Sequence, residues 1–427
     1  MLENFAVNER GHLLIGGCDA VSLANEYGTP LYVLDKGMVT NRALEFKKAL
    51  KKYYPNGEVI YASKALFCGA LAKLLNETDL CIDVVSGGEL FVALKAGFPA
   101  ERIFFHGNNK SEFELEMAVK NNLGTIVVDN WHELLLLNSV ADRLEKKQRI
   151  YLRIAPGVNA NTHVHIQTGQ EDSKFGFTKD DVKAAAKKAV QSSNLLLKGI
   201  HCHVGSQITN LDSFYHTAKI MDKIKTDIEA ELDPFNFKLE ELDLGGGLAI
   251  SYLPGDLSIS PEEYIKAIYK ALPDSSLKLR VEPGRYLVGE AGITLYTVGS
   301  SKDIPGIRKY VAVDGGMSDN PRVALYDAKY HAIVANRPNA PSEEKVSIAG
   351  RCCETGDMLI YDIDLPKLKA GDILAIFSTG AYNYSMASNY NLLPRPAMVF
   401  VSEGKKELVV RRETYEDLLL RDLAIKE

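Results

Sequence analysis

Nothing in this sequence provides for a membrane, a nucleic acid or a disulfide scaffold. The longest apolar patch, near residues 134–137, is far too short to span a bilayer. With 50 Lys and Arg against 56 Asp and Glu, the net charge is -6, and no basic excess exists to hold a phosphate backbone or an anionic lipid surface. Six cysteines in 427 residues, two of them adjacent at Cys352 and Cys353 and the others scattered, form neither a disulfide framework nor a metal-ligand spacing. Free thiols in a reducing cytoplasm are therefore expected, without a metal. The start, Met1-Leu2-Glu3-Asn4-Phe5, lacks a basic head followed by an apolar stretch, so no signal peptide is expected. Internal repeats and low-complexity tails are absent as well.

What is present is the composition of an ordinary soluble globular protein, 46% hydrophobic and 25% charged. Its length exceeds one ordinary domain and suits a large barrel with a smaller companion. Residues 13–15 read as a short strand and residues 30–35 as a firmer one, followed by a lysine-rich helix with Val39, Ala43, Phe46 and Leu50 at helical spacing. Strands are then expected at 59–63, 81–86, 103–107, 125–129, 150–155, 197–204, 241–244 and 277–282. Helices fall between them, at 88–96, 112–121, 132–145, 180–191, 213–231 and 261–272 among others. The last carries a start signal, with Ser260 as N-cap, Pro261 first in the helix and Glu263 at its third position. Eight strands with crossover helices, several of them continuous apolar runs, predict an α/β fold: a closed parallel (β/α)8 TIM-type barrel. Beyond Arg285 the texture changes to short strands without helices, at 294–298, 310–313, 346–349, 373–377, 397–401 and 408–411, with Glu403-Gly404 as a hairpin turn and 334–345 as a surface excursion. The expected domains are thus an N-terminal segment 1–29, a barrel over 30–285 and a β-rich sandwich or barrel over 286–427.

In such a barrel the chemistry lies at the carboxyl ends of the strands. The first strand ends at Lys64, the second at Asp83 and Ser86-Gly87-Gly88, and the sixth at His201-Cys202-His203-Val204-Gly205-Ser206. The seventh ends at Gly245-Gly246-Gly247 and the eighth at Glu282-Pro283-Gly284-Arg285. A strand-end lysine can simply be solvated, but a desolvated one is an amine nucleophile for carbonyl cofactors. Three glycines make either a tight turn or a loop whose N–H groups converge on a phosphate. Ser206 and Arg285 add a hydroxyl and a fixed positive charge to the same rim, which favours the phosphate. His203, alternatively a core histidine, is placed where an imidazole could lie flat on an aromatic ring. A carboxylate at Glu282 needs a cation, which either Arg285 or a protonated pyridine nitrogen could supply. Lysine, phosphate loop, flat side chain and ring-nitrogen carboxylate together describe a pyridoxal 5'-phosphate site.

From about residue 30 to residue 391 the chain resembles the meso-diaminopimelate decarboxylases, within the alanine-racemase-like, fold-type III pyridoxal enzymes. The resemblance rests on Tyr61-Ala62-Ser63-Lys64-Ala65, His201-Cys202-His203-Val204-Gly205-Ser206-Gln207, Gly245-Gly246-Gly247, Glu282-Pro283-Gly284-Arg285, Cys353-Glu354-Thr355-Gly356-Asp357 and Gly380-Ala381-Tyr382-Asn383-Tyr384-Ser385-Met386. It implies decarboxylation of meso-2,6-diaminopimelate at its D-configured centre to L-lysine, the last step of lysine biosynthesis. Lys64 becomes the Schiff-base lysine, Glu282 the partner of the ring nitrogen and His203 the stacking residue, held by Asp83. Ser206, Gly246, Gly284, Arg285 and Tyr382 become phosphate or cofactor contacts, with Gly245 and Gly247 in the same loop. Arg285, Arg322, Tyr326, Glu354 and Tyr382 would hold substrate, and Cys353 would donate the proton. The resemblance further implies that the N-terminal residues add a strand to the β-domain. It also implies a head-to-tail homodimer in which Cys353 and Glu354 reach the partner's barrel, and a mobile loop over the site at 163–177.

This division of labour suits the substrate, whose distal carboxylate and ammonium call for a cation and an anion: Arg285 or Arg322, and Glu354. Read without the resemblance, Arg322 and Tyr326 make a solvated turn after Gly315-Gly316, and Cys353 a buried thiol, a role for which Cys352 is the candidate. Two positions depart from the usual family wording: Thr355 keeps a hydroxyl where serine is frequent, and Asn383 replaces a frequent glycine and puts the local backbone in question. The competing readings are decarboxylation of ornithine, arginine or a carboxylated polyamine, and a silent regulator that keeps the fold. Arg322 with Glu354 argues against the first, and intact Lys64 and Glu282 against the second. A racemase fits less well, because Glu282 at the ring nitrogen suits a longer-lived carbanion.

Overall fold

The computed structural model describes residues 6–157, 173–273 and 276–424. It divides into two compact units, Arg42–Ala249 with Ser258–Tyr286, and Met1–Asn41 with Ile250–Leu257 and Leu287–Glu427. Among the described residues no helix is long and apolar enough to cross a membrane.

The N-terminal segment makes a small antiparallel sheet of its own from β1 (Ala6–Val7), β2 (Leu13–Ile15) and β3 (Cys18–Asp19). Two backbone bonds tie it to the second unit, Leu13 N–H to Ala335 O and Gly404 N–H to Gly16 O, each 2.8 Å. Next comes β4 (Leu31–Asp35), which the sequence reading places at the start of the barrel domain. Instead, β4 lies in the sheet of the second unit, antiparallel to residues 292–295 and parallel to residues 397–401. The physical reason is that an apolar run buried on both faces suits the centre of any sheet, so hydropathy alone does not choose which.

The barrel contains the eight strands expected for it: β5 (Glu58–Ala62), β6 (Cys81–Val84), β7 (Ile103–Phe105), β8 (Thr125–Val128), β9 (Gln148–Arg153), β10 (Leu195–His201), β11 (Glu241–Asp243) and β12 (Lys278–Val281). All pair in parallel, and β12 closes on β5. Ile60, Cys81, Phe104, Val127 and Tyr151 pack together inside. The ladder stops short of the expected strand ends, because the rim residues turn their backbone to other work. The expected helix start is present in full: Ser260 Oγ accepts from Glu263 N–H at 3.2 Å while Glu263 Oε2 accepts from Ser260 N–H at 2.9 Å, opening Pro261–Ala271.

The amino-terminal half of the barrel holds a buried charge cluster. Arg280 Nη1 lies 2.6 Å from Glu241 Oε2 and its Nη2 2.8 Å from Glu58 Oε2, with the Tyr151 hydroxyl bonded to both Glu241 and Arg280. Burial alone would raise the pKa of Glu241, but Arg280 and Tyr151 outweigh it and hold the carboxyl below its ordinary range. Glu241→Ala would leave the Arg280 guanidinium, which is 3% exposed, with the partly exposed Glu58 as its remaining carboxylate, and should cost about 3 kcal/mol, the lower end of the loss expected when one partner of a buried ion pair is removed. The measurement is the denaturant midpoint of the barrel; pairing it with Arg280→Met should recover most of the loss.

The second unit is β-rich, as expected, and continues with β13 (Gly292–Ile304), β14 (Arg308–Val313), β15 (Ala332–Val334), β16 (Glu344–Ala349), β17 (Met358–Leu365), β18 (Ile373–Ile376), β19 (Ala397–Ser402) and β20 (Lys405–Val410). The sheet runs β17-β16-β14-β13-β4-β19-β20, with β18 on β13 and β15 on β18. The first half of β13 pairs with β4 and β18 and its second half with β14, so one long strand belongs to two pairings. Leu31, Val33, Ile293, Leu295, Ala375, Phe377, Val399 and Val401 form its core with Leu13 and Ile15. The Glu403-Gly404 hairpin turn is present, both residues at positive φ (50° and 75°), which matches the twist of β19 and β20. Besides the two-residue strands β1 and β3, two strands of this unit are not expected from the sequence. β15 ends at Val334, where the stretch read as a surface excursion begins, and β17 carries aspartates, rare in strands, one of which, Asp362, has φ 50°.

Candidate active site

Six of the eight barrel strands, β5, β6, β7, β10, β11 and β12, hand a functional group to the carboxyl end. After β5 a single 3-10 turn, Ser63–Ala65, holds Lys64. The turn is anchored from β6: Asp83 Oδ1 accepts Ser63 N–H at 2.7 Å, and Ser63 Oγ donates to Glu89 Oε2 at 3.1 Å. The Lys64 side chain is exposed, so the desolvation that the sequence argument invoked for it is not observed; its rim position is. Gly284, beyond β12, closes against this turn. A Cβ there would stand 2.9 Å from Ala62 Cβ and 3.0 Å from Ala62 O, so only glycine lets the last strand end meet the first.

Glu282, just after β12, is the electrostatic centre. Its Oε2 accepts from His201 Nε2 at 3.2 Å, and Oε1 lies 2.9 Å from His106 Nε2, out of line for a hydrogen bond. Arg285, the rival partner read from sequence, instead directs Nη2 and Nε to Ser206 Oγ at 2.9 and 3.3 Å. Burial would push Glu282 up, but His106 and His201 outweigh it and hold it well below the usual carboxylate range. Its neighbours go the other way. Burial and the Glu282 charge push Asp83 up to about 8 and Asp243 well above the carboxylate range, and burial lowers His106 to about 4 and depresses His201. One negative charge therefore stays on Glu282, surrounded by neutral groups.

The glycine loop after β11 begins beside Asp243, whose Oδ1 accepts Gly245 N–H at 2.9 Å. Gly246 N–H donates to His203 Nδ1 at 3.2 Å, which orients the imidazole. A Cβ at Gly246 would approach Glu282 O to 2.1 Å, so the loop and the end of β12 come within reach only without a side chain there. Burial, with the Lys64 charge second, keeps His203 neutral by lowering its pKa well below the usual value. Pyridoxal phosphate fits this donor set on one observation above all: Glu282 Oε1 is buried, charged and without a hydrogen bond among the described residues, a place for a protonated ring nitrogen.

The remaining candidates lie in the second unit. Asp357 takes Met317 N–H on Oδ1 and Cys352 N–H on Oδ2, each at 2.6 Å, and so shapes the loop that carries Cys353 and Glu354. Cys352 is buried; Cys353 and Glu354 are exposed, with Cys353 N–H donating to Asn391 Oδ1 at 2.7 Å. All six cysteines are free thiols. Tyr382 and Tyr326 are half-buried. The backbone question at Asn383 resolves against strain there, since Asn383 has φ -95° and Tyr382 takes the positive value of 64°. Arg322 corrects the solvated-turn alternative outright: it is 7% exposed and its Nη1 donates to Tyr252 and Tyr330 hydroxyls at 3.0 and 2.6 Å. Of the segment 163–177, residues to 172 lie outside the described residues; beyond them Phe175 lies under the Arg153 guanidinium, 4.3 Å from ring centroid to Cζ.

Sequence reasoning missed His106, Asp243, Tyr252 and Tyr330, and passed over His201 inside a motif it quoted. His106 immediately follows a strand, so the strand-end rule could have found it. No local signal marks the two tyrosines.

The comparisons with known proteins point one way. Residues 36–289 match the family described as pyridoxal-dependent decarboxylase, pyridoxal binding domain. A diaminopimelate decarboxylase of Bacillus subtilis (strain 168) is 51% identical over 428 residues, covering 98% of this chain and 97% of that protein. The crystal structure of diaminopimelate decarboxylase from M. jannaschii in co-complex with L-lysine superposes with a TM-score of 0.88 at 36% identity, covering 99% of this chain and 98% of that one. A lysine/ornithine decarboxylase of Vibrio vulnificus, 22% identical with a TM-score of 0.76 over 90% of this chain and 99% of that one, shares the fold.

Proposed function

We infer the chemistry from the family: the chain belongs to the pyridoxal-dependent decarboxylases and, within them, to the diaminopimelate decarboxylases. It is an enzyme that converts meso-2,6-diaminopimelate to L-lysine and CO2, the last step of lysine biosynthesis. The observation that carries this reading within the chain is the buried, singly charged Glu282 with one oxygen unsatisfied, on the same barrel rim as Lys64 and the glycine loop.

When bound, pyridoxal phosphate supplies an electron sink for the pair released as the α-carboxylate departs. Lys64 would be the residue that holds the cofactor covalently through its Nζ. Glu282, kept ionised by its two imidazoles, keeps a proton on the ring nitrogen. Neutral His203 offers a flat face to the ring without competing charge. Ser206, the N–H groups of Gly245, Gly246 and Gly247, Gly284, Arg285 and Tyr382 hold the phosphate, and Asp83 fixes the turn that aims Lys64. Arg322, with Arg285, Tyr326 and Tyr382, receives carboxylate groups of the substrate, and Glu354 its distal ammonium. Cys353, whose thiol is exposed, would be the proton donor for the D-configured centre.

The exposure of Cys353 and Glu354 supports a homodimer in which each chain lends these two residues to its partner's barrel. A reducing cytoplasm would keep the Cys353 thiol available. The substrate assignment is tested by CO2 release from diaminopimelate and from ornithine at equal concentrations. Diaminopimelate should be preferred by about a hundredfold or more in kcat/KM, the loss expected when a site built for a charged partner meets a substrate lacking it. A preference for ornithine would overturn it.

A further inference from the structure

Among the described residues, the guanidinium of Arg322 is buried without an anion. Arg322 is 7% exposed, and among the described residues no carboxylate pairs with it. Its hydrogen bonds all leave from Nη1, to the hydroxyls of Tyr252 at 3.0 Å and Tyr330 at 2.6 Å. Both rings also lie against it, with centroids 5.0 and 5.6 Å from Cζ, and they meet each other edge to face at 5.5 Å and 83°. Nε and Nη2 make no hydrogen bond to a described residue. A cation taken this far from water requires an anion, and a guanidinium held along one edge has a second edge whose parallel N–H groups match the two oxygens of a carboxylate.

The two tyrosines are themselves fixed. Tyr330 donates its hydroxyl hydrogen to Asn383 Oδ1 at 3.3 Å, leaving the oxygen's lone pairs for Arg322. Tyr252 lies in residues 250–257, the stretch that leaves the barrel three residues after Gly247 and belongs to the second unit. There Asp256 Oδ2 accepts the N–H groups of Tyr252 and Leu253, each at 2.8 Å, and Ser378 Oγ donates to Ser251 O at 3.0 Å. A short excursion with its own internal hydrogen bonds thus delivers one aromatic side chain to Arg322.

We propose that Tyr252 and Tyr330 are specificity-determining positioning residues: they clamp one edge of Arg322 so that its Nε–Nη2 edge reads the distal carboxylate of the substrate. The inference rests on the reading that Arg322 binds that carboxylate. Bare electrostatics would bring any anion to a cation, whereas the clamp sets direction and so discriminates an amino-acid terminus from a plain amine. The exposed alternative, a free arginine on a surface turn, would reorient at little cost and discriminate poorly.

L-Lysine and cadaverine differ by that one carboxylate, so the ratio of their dissociation constants isolates its recognition. Both are measured by calorimetry on the holoenzyme, for the parent, Tyr252→Phe, Tyr330→Phe, the double variant and Arg322→Gln, with circular dichroism and cofactor absorbance as checks of folding. The double variant should weaken L-lysine by about tenfold or more, the loss expected when a charged group's hydrogen bonds go, while cadaverine shifts by less than about twofold. Equal shifts for both ligands, or none, in the double variant would overturn the clamp. Arg322→Gln separates the two claims. If it leaves the lysine-to-cadaverine ratio unchanged, the assignment of Arg322 fails and the clamp with it; if it collapses the ratio while the tyrosine variants do not, the clamp alone fails.

Discussion

Lys64→Ala should reduce steady-state decarboxylation of diaminopimelate to background and abolish attachment of the cofactor to the chain on borohydride treatment. The reason is positional. Lys64 is carried by a single 3-10 turn whose backbone is tied to Asp83 and whose far side is closed by Gly284, so the amine is delivered to the rim from one fixed backbone position. Alanine keeps that turn and removes only the amine. A variant that retained near-normal turnover would end the assignment. The same substitution also tests the shared site, because Cys353→Ala would disable the other contribution. Mixing the two inactive proteins under conditions that exchange subunits should restore activity, up to about a quarter of the parent value, since random pairing makes half the dimers hybrid with one complete site in each. If Lys64 and Cys353 of one chain served the same site, mixing would restore nothing.

The second large effect belongs to Glu282. Glu282→Gln keeps the size and an acceptor for His201 but removes the one negative charge of the cluster. Asp83 and Asp243 are no substitute, because their Oδ1 atoms are committed to Ser63 N–H and Gly245 N–H, and burial, the larger of the causes that raise their pKa, persists in the variant. Without that charge the ring nitrogen has no reason to keep its proton, and the electron pair left by CO2 loses its main stabilisation. The expected fall in kcat is about a hundredfold to a thousandfold, the range found when one preorganised electrostatic partner is removed from a reacting centre. Cofactor should remain attached through Lys64, so borohydride reduction should still label the chain. A kcat within tenfold of the parent would show that the Glu282 charge is dispensable.

The eight barrel strands were legible because each is a buried apolar run bounded by turn residues, and the rim groups because they follow such runs directly. Lys64, the glycine loop and Glu282 could be read that way without any long-range information. The capping box at Ser260 was legible for the same reason: three residues contain the whole interaction. β4 shows where this ends. Its five residues say that both faces are buried, but the strands paired with it are about 260 and 370 residues further along.

By itself, then, the sequence determined the strands, their order and the chemical groups at their ends, since these depend on short stretches of chain and on hydropathy. Tertiary structure alone decided whom those groups meet. Glu282 is paired with His106 and His201 from two other strand ends, leaving Arg285 to Ser206, and Arg322 is buried between tyrosines 70 residues before it and 8 after. The physical reason is that a charge selects its partner by distance and dielectric after the chain has closed, and neither quantity is written in the order of residues.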